Sequence, residues 1–419
     1  MDKYNSYKDS GVKWLGQIPS HWEAKRLASY FSERKVKVSD KDYMPLSVTK
    51  MGILPQLENV AKTDDGDNRK LVLAGDFVIN SRSDRKGSSG VSDYDGSVSL
   101  INLVLQPRSG ILPRFCNYYF KSYGFIEEFY RNGHGIVADL WTTRYDEMKM
   151  IKVAIPPLNE QESMVNYLDK ATARIDEAIS QQQMMIDLLN ERKQIQINRA
   201  VTKGLIPKVK LQDCGIDYIG SIPAHWEVKK LKFIATYNDE VLSETHKNSE
   251  IEYVEIGDVL YGRGITGSTV YLFEDAPSRA RRVTRTGDII VSTVRTYLKA
   301  VAVIKKEGLI VSTGFVVIRP KESVDAQFLS YAILNSSLIS EIERISVGTS
   351  YPAVNAWEVM DMKVALPPKE EQENIASYLS NVEKLTEDAI EACNKTISAL
   401  QERKQIIIND VITGKVKVA

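Results

Sequence analysis

Two stretches of about forty residues, 159–199 and 370–410, constrain this chain more than anything else in it. Each carries apolar side chains at alternating three- and four-residue spacings, the pattern of a coiled-coil seam. In the first the seam runs Val165, Leu168, Thr172, Ile175, Ile179, Gln182, Ile186, Leu189. In the second it runs Ile375, Leu379, Val382, Thr386, Ile390, Cys393, Ile397, Leu400. A helix of about 40 residues is a rod of roughly 60 Å, and its apolar stripe needs a partner. Each stretch therefore predicts the other as its mate, with Val165, Leu168, Ile175, Ile179, Ile186 and Leu189 facing Ile375, Leu379, Val382, Ile390, Ile397 and Leu400. Both follow a Pro-Pro pair (Pro156-Pro157, Pro367-Pro368), which cannot continue a helix backwards. Asn159 is expected to cap the first, with Glu162 completing a capping box, and Glu370 takes that place in the second. Both end in one phrase, Glu191-Arg-Lys-Gln-Ile195 and Glu402-Arg-Lys-Gln-Ile406.

The duplication extends beyond the helices. Gly11-Val-Lys-Trp-Leu-Gly16-Gln-Ile-Pro-Ser-His21-Trp22-Glu23-Ala-Lys25 returns as Gly215-Ile-Asp-Tyr-Ile-Gly220-Ser-Ile-Pro-Ala-His225-Trp226-Glu227-Val-Lys229, offset by 215 − 11 = 204. At Ile155-Pro-Pro and Leu366-Pro-Pro the offset is 366 − 155 = 211, so the second half gains seven residues in between. Four segments follow: 1–157, a helix 158–203, 204–368, and a helix 369–419. Between these landmarks the halves share little beyond Gly75-Asp76 and Gly287-Asp288. Both interiors read as α+β. Strands are expected at 71–73, 77–79, 98–105, 251–256, 288–294, 299–304 and 315–319, and helices at 115–130 and 326–345. The stretch 202–215, basic and polar with Gly204 and Pro207, reads as a linker.

A length of 419 residues allows two or three cores. Lys+Arg and Asp+Glu are 55 each, which argues against a bulk nucleic-acid coat but not against a local basic groove. Cys116, Cys214 and Cys393 lack metal spacing and fit a reduced, cytoplasmic protein. A polar amino terminus and the lack of any apolar run near ~20 residues predict no signal peptide and no membrane span.

Few residues carry chemistry of their own. Glu23-Ala-Lys25 and Glu227-Val-Lys229 have the form of a nuclease Glu-x-Lys, but no preceding acid suits, and outward-facing strand charges explain them. His21 and His225, each beside a tryptophan, are expected to pack or hydrogen-bond in the repeated frame rather than hold metal. No Asn/Asp-Pro-Pro-aromatic motif is present to grip an adenine amino group, and no phosphate-binding P-loop. Gly262-Arg-Gly264-Ile-Thr-Gly267 reads as a loop. No catalytic and no metal-binding residue is expected.

Binding is the stronger signal. Residues 279–306 hold eight cations (Arg279, Arg281, Arg282, Arg285, Arg295, Lys299, Lys305, Lys306) and one acid, Asp288. With Tyr297 they offer Arg forks and an aromatic to a nucleic acid. In the first half Arg82, Arg85, Lys86, Ser88 and Ser89 form a polar loop at the matching place after Gly75-Asp76. Arg144 and the Gly348-Thr349-Ser350-Tyr351 loop, which corresponds to Gly133-His134-Gly135, complete the candidate DNA-binding set.

The doubled Gly-x-x-Trp/Tyr-x-Gly-x-Ile-Pro-x-His-Trp-Glu phrase, the Pro-Pro-x-x-Glu-Gln helix starts (Glu160-Gln161, Glu371-Gln372) and Val201-Thr-Lys-Gly204 together resemble the DNA-specificity subunit of type I restriction–modification enzymes. The likeness covers nearly the whole chain; Val411-Ile-Thr-Gly414 is a partial echo. It implies two α/β-mixed target-recognition domains, separated by two long antiparallel coiled-coil helices in a pseudo-two-fold repeat. Each domain would read half of a split site on double-stranded DNA. It also implies two methyltransferase partners and two motor-nuclease partners. S-adenosylmethionine, ATP and Mg²⁺ would belong to those partners, with no cofactor on this chain. A duplicated coiled-coil adaptor without a DNA role is the alternative, and a fused methyltransferase is disfavoured by the missing motif.

Overall fold

The computed structural model describes residues 2–56, 66–135, 141–242 and 246–418. They form two compact units: Met1–Gln182 with Lys395–Ala419, and Gln183–Asn394. Each unit holds a mixed α/β domain and a segment of both long helices.

The long helices span Leu158–Lys203 and Lys369–Ile412. Both begin directly after the Pro-Pro pair, so Asn159 and Glu370 lie inside the first turn rather than at the cap. The entry is fixed by the next residue but one, through distant contacts. Gln161 donates to the Pro156 carbonyl (2.7 Å) and accepts from the Leu112 amide (2.8 Å). Gln372 donates to the Pro367 carbonyl (2.8 Å) and accepts from the Asp325 amide (2.9 Å). Both glutamines are buried.

Within each unit the two helical segments run antiparallel. In the first, Met164, Val165 and Leu168 share a core with Ile408, Val411 and Ile412, and Lys404 Nζ holds Asp176 at 2.6 Å. Ile175 is buried; Ile179, Ile397 and Leu400 are half-buried. In the second, Ile197, Ala200 and Val201 share a core with Ile375, Ala376 and Leu379, and Gln196 reaches Tyr378. There Ile186 and Val382 are buried, and Leu189 and Ile390 half-buried. The polar seam residues Thr172 and Thr386 are buried because each hydroxyl returns to a carbonyl four residues back, Leu168 (2.8 Å) and Val382 (2.7 Å).

The interiors, nearly devoid of shared sequence, have one topology. In the first unit an antiparallel sheet runs in the order Ser89–Val91, Phe77–Asn80, Asn102–Pro107, Phe31–Glu33. In the second the order is Val301–Val303, Ile289–Ser292, Phe315–Pro320, Ala235–Tyr237. A second sheet matches too: Gly96–Ser99 pairs Arg69–Val72, as Ile310–Ser312 pairs Ala280–Val283. Glu250–Val254 adds in parallel at Tyr253–Ile310, and Pro45–Ser97 is the corresponding parallel bridge. Several expected elements divide. The strand foreseen over 98–105 breaks into Gly96–Ser99 and Asn102–Pro107. The helix over 115–130 becomes Pro113–Tyr119 and Tyr123–Arg131, restarted by the Ser122 cap. The helix over 326–345 becomes Ala326–Ile333 and Ser336–Ile345, restarted by Asn335. The expected linker begins later, since the first long helix continues to Lys203, and it contains a short strand, Leu211–Asp213.

The repeated phrase is a clamp on the start of each long helix. Trp22 is buried, and its indole N–H donates to Glu160 Oε2 (3.1 Å), while His21 Nε2 lies 2.6 Å from Glu160 Oε1. Trp226 and His225 treat Glu371 identically, at 3.0 and 2.6 Å. The two histidines thus serve the frame. So do the Glu-x-Lys pairs, which close on themselves (Lys25–Glu23 2.8 Å, Lys229–Glu227 2.7 Å) at the edges of short strands. Under each tryptophan sits a glycine with left-handed backbone: Gly204 (φ +69°) beneath Trp226, and Gly414 (φ +73°) beneath Trp22.

Candidate nucleic-acid interface

In both units the Gly-Asp landmark builds the turn leading into the central strand Phe77–Asn80 or Ile289–Ser292. Asp76 accepts from the Leu73 amide (2.9 Å) and pairs with Arg34 (2.7 Å). Asp288 accepts from the Arg285 amide (2.8 Å) and pairs with Arg319 (2.7 Å). Both aspartates are buried. Hydrogen bonding to Asp288 raises the pKa of the Arg319 guanidinium, and burial opposes it. The central strand then delivers a short 3₁₀ turn to the surface: Ser83–Arg85 in the first unit, Thr296–Leu298 in the second.

A second loop meets each turn. In the second unit Val294 bridges Ala353, and Val347 bridges Ala353 in turn, closing a loop over 348–352. The Thr296 amide donates to the Pro352 carbonyl (3.4 Å), the Val354 amide to Thr293 (2.9 Å). The Arg295 guanidinium lies over the Tyr351 ring at 5.2 Å. Arg295 (φ +52°) and Lys299 (φ +51°) flank the turn in the left-handed region, sparsely populated by residues other than glycine. In the first unit Arg82 bridges Thr142, Thr142 bridges His134, and the Ser83 amide donates to Trp141 (3.0 Å).

The predicted residues therefore gather in part. Arg295, Tyr297, Lys299, Thr349, Ser350 and Tyr351 lie on these two joined loops of the second unit; all but half-buried Lys299, which pairs with Glu343 at 3.1 Å, are exposed. Arg279 is exposed and adjoins them, its carbonyl accepting from Thr313 while Gly314 accepts from Thr293. Arg82, Arg85, Lys86 and Arg144 are exposed in the first unit, with Lys86 paired to Glu127 at 2.6 Å.

Four residues do not belong with them. Ser88 and Ser89 are buried: the turn closes on itself (Ser88 amide to Arg85, 3.0 Å) and draws both into the sheet edge, where the Ser89 amide bonds Thr49. Arg281 and Arg282 are half-buried. Arg281 lies over Phe273 at 5.0 Å and donates to the Ala280 carbonyl, and Arg282 Nε is buried. These two pack the second sheet. The surplus charge of 279–306 is also offset by acids from elsewhere in the fold: Arg285 meets Glu240 (2.6 Å), and Lys306 meets Glu252.

Other residues join the surface that charge counting passed over. A hollow of about 560 Å³ in the first unit is lined by Lys35, Lys37, Lys70, Arg82 and Arg144, with Glu33 and Asp146 as counter-charges. The close spacing Lys35-Val36-Lys37, ending in the short strand Lys37–Val38, was the available signal. Among the described residues no His/Cys/Asp/Glu cluster is arranged to hold a metal, and no helix is long and apolar enough to cross a membrane.

Comparison with known proteins agrees with this arrangement. The model of the type I restriction modification DNA specificity domain matches residues 223–399. The type I restriction enzyme MjaVIII specificity subunit of Methanocaldococcus jannaschii is 24% identical, over 98% of this chain and 97% of its own. The putative MjaX specificity subunit of the same organism is 23% identical, over 98% of both chains. Over nearly its whole length the chain is thus similar to type I restriction–modification specificity subunits, and residues 223–399 match their domain. A chain solved in work on complex assembly and conformational transition of the type I R–M system shares its fold. Its TM-score is 0.67 at 16% identity, over 95% of this chain and 99% of that one.

Proposed function

We propose that each unit reads one half of a bipartite, gapped DNA target, and that the paired helices set the gap and dock two methyltransferase subunits for adenine methylation. Two motor-nuclease subunits complete the restriction complex. Cofactors sit on those partners: S-adenosylmethionine on the methyltransferases, ATP and Mg²⁺ on the motors. The observation that carries this reading is one frame used twice with different joined loops on it (Ser83–Arg85 with Trp141–Thr142; Thr296–Leu298 with 348–352). Two unlike loops on like frames suit an asymmetric, two-part target. Arg82, Arg85, Lys86, Arg144, Arg279, Arg295, Tyr297, Lys299, Thr349, Ser350 and Tyr351 are the proposed contacts, with Lys35 and Lys37 on the phosphates.

B-DNA repeats about every 34 Å, so a stiff spacer selects one gap length. Long-read methylation sequencing of cells carrying this chain and its methyltransferase should show a gapped, non-palindromic adenine motif. A continuous motif would refute the reading. Inserting four residues near Gln182, with a matching insertion in the second long helix, adds ~6 Å and should lengthen the gap by one or two base pairs. An unchanged gap in a folded variant would refute the helices as its ruler.

A further inference from the structure

The two turns differ in chemistry as well as sequence. The first presents Ser83-Asp84-Arg85, all hydrogen-bonding side chains. The second presents Tyr297 and Leu298, 48% and 39% exposed, at its apex. Beside them the joined loop exposes Tyr351 (66%) and Val347 (80%). An exposed leucine alone is ordinary. Here it sits on a turn held from both sides, between a left-handed Arg295 and a left-handed Lys299, and tied to Pro352 through the Thr296 amide. Glycine at either flank would remove that backbone strain; the chain keeps a cation at both. The arrangement is an apolar tip between two cations, Arg295 laid over the Tyr351 ring and Lys299 paired with Glu343.

Leu298 has no polar side-chain atom, so it can favour one base pair over another only through apolar contact. In the major groove the methyl that a base edge offers is that of thymine. We propose that the Tyr297–Leu298 tip reads a thymine C5 methyl in the half-site of the second unit, while the first unit reads its half through hydrogen bonds from the polar turn. This rests on the reading of the chain as a two-part DNA reader. Under that reading each half-site contains an adenine to be methylated, hence an A·T pair, so a thymine is always available to test.

The probe is a duplex carrying the gapped motif found by methylation sequencing, with each thymine replaced singly by deoxyuridine, which removes the methyl and keeps the base pair. Binding is measured on the full chain assembled with its methyltransferase, by fluorescence anisotropy. Leu298→Ala, and Leu298→Asn as a variant of similar size should the first not assemble, are compared with the unaltered chain. We expect one uracil, in the half whose base preference Leu298→Ala relaxes, to weaken binding about fourfold, the effect of losing one buried methyl. Leu298→Ala should erase that difference. Uracil without effect at every thymine, a penalty that persists in the variant, or a penalty confined to the other half would overturn the inference. In each case the gapped motif and duplex binding stand, so the broader reading survives. Loss of the motif itself would instead sink that reading.

Discussion

The two units are alike where they build and unlike where they present. Gly beneath Trp recurs in place, and His-Trp on Glu, Gln on the Pro-Pro carbonyl and Asp on its own turn recur with distances equal to within about 0.1 Å. Other choices diverge. The first core is a cluster of aromatics in edge-on and tilted contact, with Phe120 4.6 Å from Phe125 and 4.9 Å from Phe77; the second is mostly aliphatic. Even the shared helix phrase is used differently. In the second unit Gln194 donates to Leu334 (3.2 Å) and Asn198 to Ser336 (2.7 Å), closing the helix onto the domain. In the first, the corresponding Gln405 and Asn409 line a groove of about 1290 Å³ with Tyr123 and Trp14. Tyr123 stands where Ser336 stands, at the first residue of its helix, and is exposed along this groove. The lesson is that a frame survives through a few polar contacts with strict geometry, whereas packing admits many solutions of similar volume.

That contrast is open to direct attack. The largest effect should come from Trp22→Ala and Trp226→Ala. Each removes a buried indole and its bond to a helix glutamate, at a cost of about 3–5 kcal/mol. Chemical denaturation should give the two variants equal losses within about 1 kcal/mol; a wide gap would mean the frames are equivalent in shape only. Next come the glycines beneath these rings. A Cβ at Gly414 would meet Pro19 at 2.5 Å and Trp22 at 2.9 Å, while one at Gly204 would meet only Trp226, at 3.1 Å. Both alanines carry left-handed strain, so Gly204→Ala should cost about 1–2 kcal/mol and Gly414→Ala about 3 kcal/mol. Thermal melts in the reverse order would break the comparison at the helix ends.

The smallest effect is acid sensitivity. In the second unit hydrogen bonds hold carboxyls below their usual range: Glu240 through Arg319, Glu252 through Lys306, and Asp361 through Lys232 and Lys230. Glu307 through Thr286 and Glu341 through Arg344 join them, whereas among the described residues the first unit has three: Glu23 through Lys25, Asp67 through Ser39, and Asp146 through Lys149. A lowered folded pKa contributes stability above the unfolded value, and that contribution is lost as pH falls through the folded one. All are surface pairs, so each loss is small. Hydrogen exchange below about pH 4 should show the second unit loosening before the first. The opposite order would show that these pairs do not govern acid stability.

What the sequence made legible follows from the range of the interactions. The helical seams are periodic and local, so Val165 to Leu189 and Ile375 to Leu400 could be read off directly. The caps expected at Asn159 and Glu370 fall inside the first turn, because Gln161 and Gln372 fix the entry through loops about fifty residues away. The common sheet order was hidden because a buried strand demands only apolar side chains: Phe77-Val-Ile and Ile289-Ile-Val satisfy it equally. The two surface turns were found through the Gly-Asp landmark, whose geometry leaves no alternative residue. Arg281 and Arg282 were over-read because a charge run was counted along the chain, without the strand that turns these side chains onto the sheet. Lys35, Lys37 and Lys70 were missed because they meet only when the strands pair.

The left-handed pair around Thr296–Leu298 has a kinetic consequence. Holding Arg295 and Lys299 in that region costs on the order of 1–3 kcal/mol each, met once, when the chain folds. A loop already frozen in its working shape surrenders little freedom on meeting a ligand, so fewer encounters are wasted on conformers that do not fit. The cost of shaping that turn is thus met at the time of folding, by two backbone angles.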